Sequence, residues 1–483
     1  MITFLIGIVI LVLGGAAYGK LCEKVMKPTD AVTPATAMQD GVDFVPMKKW
    51  RNSLIELLNI AGTGPILGPL QGVLFGPIAF ITIPIGCVIG GAFHDYMIGM
   101  ISIRNKGEQV PNLVNRFLGK HVYTFYNIFV CLLMLLVGVV FIYTPGDLFV
   151  AHILGQESSI SNPTLWIVYG IIFVYYIMAT LFPIDKIIGR IYPVFGAILL
   201  LSAVGVFVGL FAKGYPLVEL WNAAEGGYPL QENFIPMFFV TVTCGILSGF
   251  HSTQATLVSR TVVDEREGRM TFYNMMIAEG FIAMIWAAAG MGALGLNLVD
   301  ADTLSGSATQ VVGIVAINML GKVGGIIAII GVIILPVTSG DTALRSLRLM
   351  VGDAVHLDQT KKKNALPLAV CLFTVVGLIL FWAKGNPAGF NVLWRYFSWA
   401  NETTAVFACA MIAAYMKKNN MPYVMALIPG TFYTFIVSSY IFNAKIGFRL
   451  PWVVSYALAV AVSLAYVWII ARRVGKNDAQ SEN

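Results

Sequence analysis

Residues 59–69, NIAGTGPILGP, interrupt a long apolar run with three glycines and two prolines. A continuous helix does not pass through such a stretch. Pro65 and Pro69 lack an amide hydrogen and clash with the preceding turn, while Gly62, Gly64 and Gly68 permit backbone angles closed to other residues. Lipid offers no hydrogen bonds, so backbone groups freed at bilayer depth need partners from protein, an ion or cavity water. A broken helix at that depth is therefore a candidate binding site. The bland alternative is a close helix-packing seam that holds no ligand.

The flanking chain supports the bilayer reading. Of 483 residues, 58% are hydrophobic and 12% charged, and mean hydropathy is +0.79. A soluble chain carries about 25% charged residues, so this composition points to a polytopic membrane protein. At about 20 apolar residues per span, roughly thirteen spans are expected: 2–19, 52–72, 76–103, 121–144, 164–182, 187–212, 234–259, 272–298, 323–346, 365–383, 391–416, 421–441 and 452–471. All but six of the 31 Lys and Arg residues fall in alternate loops and the tail; the exceptions are Lys213, Lys322, Lys384, Arg395, Lys445 and Arg449. By the positive-inside rule the N-terminus is expected outside and the C-terminus in the cytoplasm of a bacterial-type plasma membrane. Basic runs such as Lys361–Lys363 are then topology signals, and the net charge of +6 needs no nucleic-acid partner. The six cysteines lie far apart, with neither a disulfide framework nor metal-ligand spacing. The first apolar stretch lacks a basic leader and is expected to be an uncleaved span. The tail KNDAQSEN is polar and expected to be disordered.

A second interruption lies in TCGILSGFHSTQAT, residues 243–256, where Gly245 and Gly249 precede His251, Ser252, Thr253 and Gln254. Four consecutive polar side chains cannot share one helix face. Either the helix unwinds there or they surround a hydrated cavity, the alternative being a Ser/Thr-rich contact with a satisfied histidine. The two interruptions fall in the second and seventh spans, which run in opposite directions. That is the arithmetic of an inverted repeat of five plus five helices. The expected fold is an all-α polytopic bundle with a LeuT-like 5+5 core. Its parts are a first span and connection, 1–51, repeats at 52–212 and 213–416, and two added helices with the tail at 417–483. Residues 299–322 are an external segment whose second half forms a short interfacial helix or a lid.

The expected substrate-binding residues are Gly62, Thr63 and Gly64 with His251, Ser252, Thr253 and Gln254. Half-helix amides near Thr63–Gly64 and Ser252–Thr253 favour a carboxylate. Ion coupling is expected at Ala61, Thr338, Ser339, Asp341 and Glu402. A proton is the favoured coupling cation, carried by Asp341 or Glu402; sodium is the alternative, at Ala61, Thr338 and Ser339. Asp341 and Arg345 also suit an i, i+4 ion pair. The adjacent His94 and Asp95 suit a gate, a relay or support of the broken helix, as Arg345 does a gate. Glu279 is a further buried carboxylate. No HExxH, nucleophile elbow or His/Cys cluster points to an enzyme, and no other cofactor or metal is expected.

Taken together, TPATAMQDGVDFVP, IAGTGPILGP, GGAFHDY, GFHSTQ, AEGFIAMIWAAA, SGDTALRSLRL and LWRYFSWANETTAVF resemble the carbon starvation protein A (CstA) family across residues 33 to about 407. The resemblance implies a plasma-membrane secondary transporter, related to the amino acid-polyamine-organocation superfamily, that imports peptides or pyruvate with proton coupling. The chain resembles a short member without the long C-terminal extension of larger relatives, and it carries Glu402 where those have an amide. A nutrient sensor or channel binding the same ligand is the alternative function. Oligomeric state is open.

Overall fold

The computed structural model describes residues 1–41, 43–181, 185–222, 233–357 and 362–473. The polar tail, Lys361 and residues 182–184 of the loop after the fifth expected span lie outside these. Among the described residues there are helices and no strand. In chain order we label α1 (Ile2–Met26), α2 (Lys49–Ile60), α3 (Gly64–Gly72), α4 (Ala79–Arg104), α5 (Lys120–Leu148), α6 (Pro163–Leu181) and α7 (Asp185–Ala212). There follow α8 (Gly249–Val258), α9 (Asn274–Gly295), α10 (Ala308–Ala354), α11 (Lys362–Gly385), α12 (Gly389–Lys418), α13 (Val424–Asn443) and α14 (Trp452–Arg473).

Ten helices among the described residues are long and apolar enough to cross a membrane, so this is a multi-pass membrane protein. Three expected spans are not among the ten: the two interrupted ones and α12. The last is long enough, but residues such as Arg395, Asn401 and Glu402 make it more polar. Within α10, Gly321 adopts φ 71°, a left-handed angle suited to glycine, and turns the chain between its first turns and the rest. The part before the turn buries Val311, Val312 and Val315 fully and leaves Gln310 and Asn318 exposed.

Both interruptions are present. Helix α2 ends at Ala61, and α3 restarts at Gly64 with Pro65 in its first turn, where a missing N–H costs nothing. The second lies upstream of the expected polar cluster. The chain is irregular over 243–248, and His251, Ser252, Thr253 and Gln254 belong to the first turns of an intact α8. Ser248, with φ −138° and ψ 123°, is its N-cap.

The two interrupted spans lie against each other in opposite directions. A Cβ on Gly64 would strike Cys244, one on Gly68 would sit 2.8 Å from the Thr241 carbonyl oxygen, and one on Gly72 would strike Val242. Glycines four residues apart thus remove the bulk from one face of α3 and let backbone meet backbone. Further along, Asn52 Nδ2 donates to the Thr261 carbonyl (3.2 Å) and Thr261 Oγ1 to Asn52 Oδ1 (2.8 Å). Helix α4 joins the same core, with Gly86 and Gly91 against Ile246 and Gly99 against the Phe272 ring.

Outside the spans, Glu219 ties the first turn of α1 to the segment after α7. Partial burial pushes its carboxyl up, but hydrogen bonds from the N-terminal ammonium, the Thr3 hydroxyl and the amides of Thr3 and Ile2 outweigh this and hold it down at about 2. A carboxylate depressed from 4.5 contributes stability that is complete above about 4.5 and lost as pH falls towards 2. Glu219→Gln is therefore expected to lower the melting temperature at pH 7, with the gap to wild type closing on acidification. A gap independent of pH between 7 and 3 would remove this role.

Candidate functional site

At the first break the amides of Ile66 and Leu67 turn back onto the Thr63 carbonyl at 3.2 and 2.9 Å, and Gly62 N–H reaches Ile60 O at 2.8 Å. Pro65 has no N–H. The amides of Thr63 and Gly64 are thus the ones at the mouth of the half-helix, beside a Thr63 hydroxyl that is fully buried and has no hydrogen-bond partner. Positive helix-end polarity and a lone hydroxyl converge there.

The second half-helix is capped from another element. Asn401 of α12 accepts the Phe250 amide on Oδ1 at 2.7 Å, and its Nδ2 donates to Ser248 Oγ at 2.9 Å. Close approach makes this reach feasible, since a Cβ on Gly249 would sit 2.5 Å from the Asn401 carbonyl oxygen. The amides at the mouth of α8 therefore belong to residues 249–250, one turn before Ser252 and Thr253. Those two hydroxyls are bonded to their own helix, at Gly249 O (2.5 Å) and Phe250 O (2.7 Å). Gln254 is buried and donates to Thr253 Oγ1 at 3.2 Å. Thr253 and Thr256 also line a cavity of about 240 Å3 with Met134 of α5 and Ser346 and Met350 of α10. A larger cavity, about 560 Å3, is apolar and lies away from this chemistry between α1, α4 and α13.

His251 reaches neither Ser252 nor Gln254 but the residues expected to serve as a gate. Asp95 accepts His94 Nδ1 on one oxygen at 2.7 Å and His251 Nδ1 on the other at 3.1 Å, all three side chains being fully buried. His251 Nε2 lies 3.5 Å from Glu279 Oε2, at the edge of hydrogen-bond reach. Glu56, on α2 just before the break, completes the group: it interacts electrostatically with Asp95 and Glu279. The sequence reading missed Glu56 and Asn401. A glutamate one turn before the helix break and an amide inside WANETT were the available signals.

The remaining expected residues divide into two places. Glu402, next to Asn401, is fully buried beside Thr243. Thr338, Ser339, Asp341 and Arg345 sit on α10, which packs on α2 and α3. There Tyr175 donates to Asp341 Oδ2 (2.8 Å), Thr342 to Asp341 Oδ1 (2.9 Å), and Arg345 to the Ala179 carbonyl (2.8 Å). Thr338 Oγ1 is engaged by the carbonyls of its own helix, whereas the Ser339 hydroxyl is buried and without a partner. Asp341 thus faces α6, apart from the group around Asp95.

Four likenesses bear on this arrangement. The family model described as carbon starvation protein CstA matches residues 1–152 and 145–294. A protein of Haemophilus influenzae named as a membrane protein is 41% identical over 60% of this chain and 91% of its own length, and the peptide transporter CstA of Mycobacterium tuberculosis is 24% identical over 87% and 71%. Among solved structures, a manganese transporter of Eremococcus coleocola, of the LeuT fold, superposes with a TM-score of 0.58 over 90% of this chain and 97% of its own, at 9% identity. That last likeness concerns the fold alone.

Proposed function

The chain belongs to the carbon starvation protein CstA family, and from that premise we propose that it imports a small carboxylate-bearing nutrient, a short peptide or pyruvate, by cation-coupled alternating access. The observation that carries this reading is the antiparallel meeting of two interrupted helices at their breaks, with the Thr63 and Gly64 amides and the lone Thr63 hydroxyl at one of them. Amides at a half-helix mouth supply positive polarity without the desolvation cost of a buried lysine, which suits a carboxylate bound at bilayer depth. The peptide transporter relatives favour the peptide over pyruvate. Gradient coupling fits the buried titratable groups beside both breaks, and the proton is the favoured ion.

Alternating access in this reading uses the two interrupted spans as the moving elements. The glycine face of α3 brings it close to the 241–244 segment, and in this reading the two interrupted spans slide or hinge as a pair against the surrounding helices. Purified protein in proteoliposomes, offered labelled dialanine and labelled pyruvate under separately imposed proton and sodium gradients, is expected to accumulate one of them, saturably, with the proton gradient. His251→Ala is expected to reduce that accumulation by about tenfold or more, the scale of one lost polar contact. Saturable binding with no accumulation would overturn the transport reading in favour of a sensor, and non-saturable flux would favour a channel.

A further inference from the structure

We propose that Glu56 and Glu279, with His251 linking Glu279 to Asp95, form the site that binds the coupling proton, a placement that rests on the transport reading above. Four elements contribute: Glu56 from α2, His94 and Asp95 from α4, His251 from α8 and Glu279 from α9. All five side chains are fully buried. The other titratable groups facing them are the thiols of Cys87, Cys244 and Cys409. Among the described residues no lysine or arginine pairs with any of the three carboxyl groups.

The hydrogen-bond pattern assigns the protons. An ionised Asp95 offers only acceptors, so the two imidazoles that meet its oxygens each donate Nδ1–H. Each Nε2 then carries a lone pair. That of His251 points at Glu279 Oε2, 3.5 Å away, and an acceptor facing a carboxyl group is satisfied when the carboxyl holds the proton. Moving that proton from Glu279 to Nε2 turns a neutral pair into an imidazolium and a carboxylate, with the total charge unchanged. Among the described residues Glu56 has no hydrogen-bond partner on either oxygen and no cation paired with it, and its acidic neighbours are Asp95 and Glu279. Isolated burial of its charge is prohibitive, so it holds a proton in this conformation.

The placement links proton to motion. Glu56 belongs to the first interrupted span and His251 to the second, whereas Asp95 and Glu279 stand on uninterrupted helices. Displacement of α2 or α8 separates donor from acceptor, and admitting water at Glu56 or Glu279 lets the proton leave. Occupancy of the site and position of the broken helices are thereby coupled. Tyr175 holds Asp341 in a separate place on α10.

The test combines a spectroscopic and a transport measurement. Infrared spectra of the reconstituted protein at neutral pH, taken in a Glu402→Gln background to remove the buried Glu402 carboxyl, are expected to show carboxylic-acid C=O bands that shift in D2O. One band is lost in Glu56→Gln and another in Glu279→Gln. In proteoliposomes Glu279→Gln is expected to keep exchange of labelled dialanine or pyruvate while losing proton-driven accumulation. Absence of the bands, or their persistence in both variants, overturns the site even where wild type transports. Wild-type accumulation retained in Glu279→Gln overturns its coupling role. Bands assigned as expected in a wild type that accumulates neither solute overturn the transport reading and leave the protonated pair in place. The bands of the Glu402→Gln protein are read before any further substitution, and their absence overturns the site even if a double variant misfolds.

Discussion

Lys384→Met is expected to destabilise the protein by about 3–5 kcal/mol, the cost of leaving one member of a buried ion pair without its partner. Lys384 at the end of α11 donates to Asp147 Oδ2 of α5 at 2.7 Å and to Ser158 Oγ at 2.9 Å, and its side chain is only 6% exposed. Tyr169 of α6 donates to the other Asp147 oxygen at 2.5 Å, and the ammonium lies 4.8 Å from the centre of the Tyr143 ring. Three helices thus meet on one carboxylate. Removing the lysine leaves that carboxylate desolvated, and Tyr169 alone does not compensate a full charge. Thermal unfolding in detergent, followed by the loss of monodisperse protein, is the measurement. Adding Asp147→Asn to Lys384→Met is expected to recover much of the loss, because the uncompensated charge is removed along with its partner. A single Lys384→Met variant that melts with wild type would mean that the pair does not hold α5, α6 and α11 together.

Gly68→Ala is expected to abolish or reduce transport by about tenfold or more and to cost about 1–3 kcal/mol of stability, the range for overpacking a filled core. The added methyl would lie 2.8 Å from the Thr241 carbonyl oxygen and 3.3 Å from Val242 Cα. Both atoms are backbone, so no rotamer change relieves the contact, and α3 must move away from the second interrupted span. Gly90→Ala is the matched control: it lies in α4 with nothing within 4 Å of the added methyl, and is expected to behave as wild type. Uptake and melting temperature measured side by side separate the two effects. Gly68→Ala with wild-type uptake would show that close contact between the broken helices is dispensable.

These two results depend on information of different reach. The break at 61–63 was legible because its causes are local: glycine and proline alter backbone conformation within a turn, whatever the rest of the chain does. The second was read over 243–256, and the structure puts it in the first half of that stretch. Polarity at 251–254 suggested unwinding, but Ser and Thr hydroxyls in α8 bond to carbonyls of their own helix, and the irregular backbone falls instead over 243–248. His94 and Asp95 were noticed as neighbours in sequence, and His251 was assigned to substrate. Their union was not legible, because His251 and Asp95 are far apart in the chain and meet only when α8 packs on α4.

By itself the sequence determined that this is an apolar, multi-pass helical protein with interruptions in two spans, since apolar content and Gly/Pro chemistry act over a few residues. The order of its motifs also identified the family. Only the tertiary structure decided which polar groups face one another. It placed Asn401 on the mouth of α8, Lys384 on Asp147, and Glu56 and Glu279 around the His251–Asp95 pair. The physical reason is that a buried charge or amide is satisfied by whatever donor or acceptor packing brings within about 3 Å, and that partner is chosen by the crossing of distant helices, which no local pattern encodes.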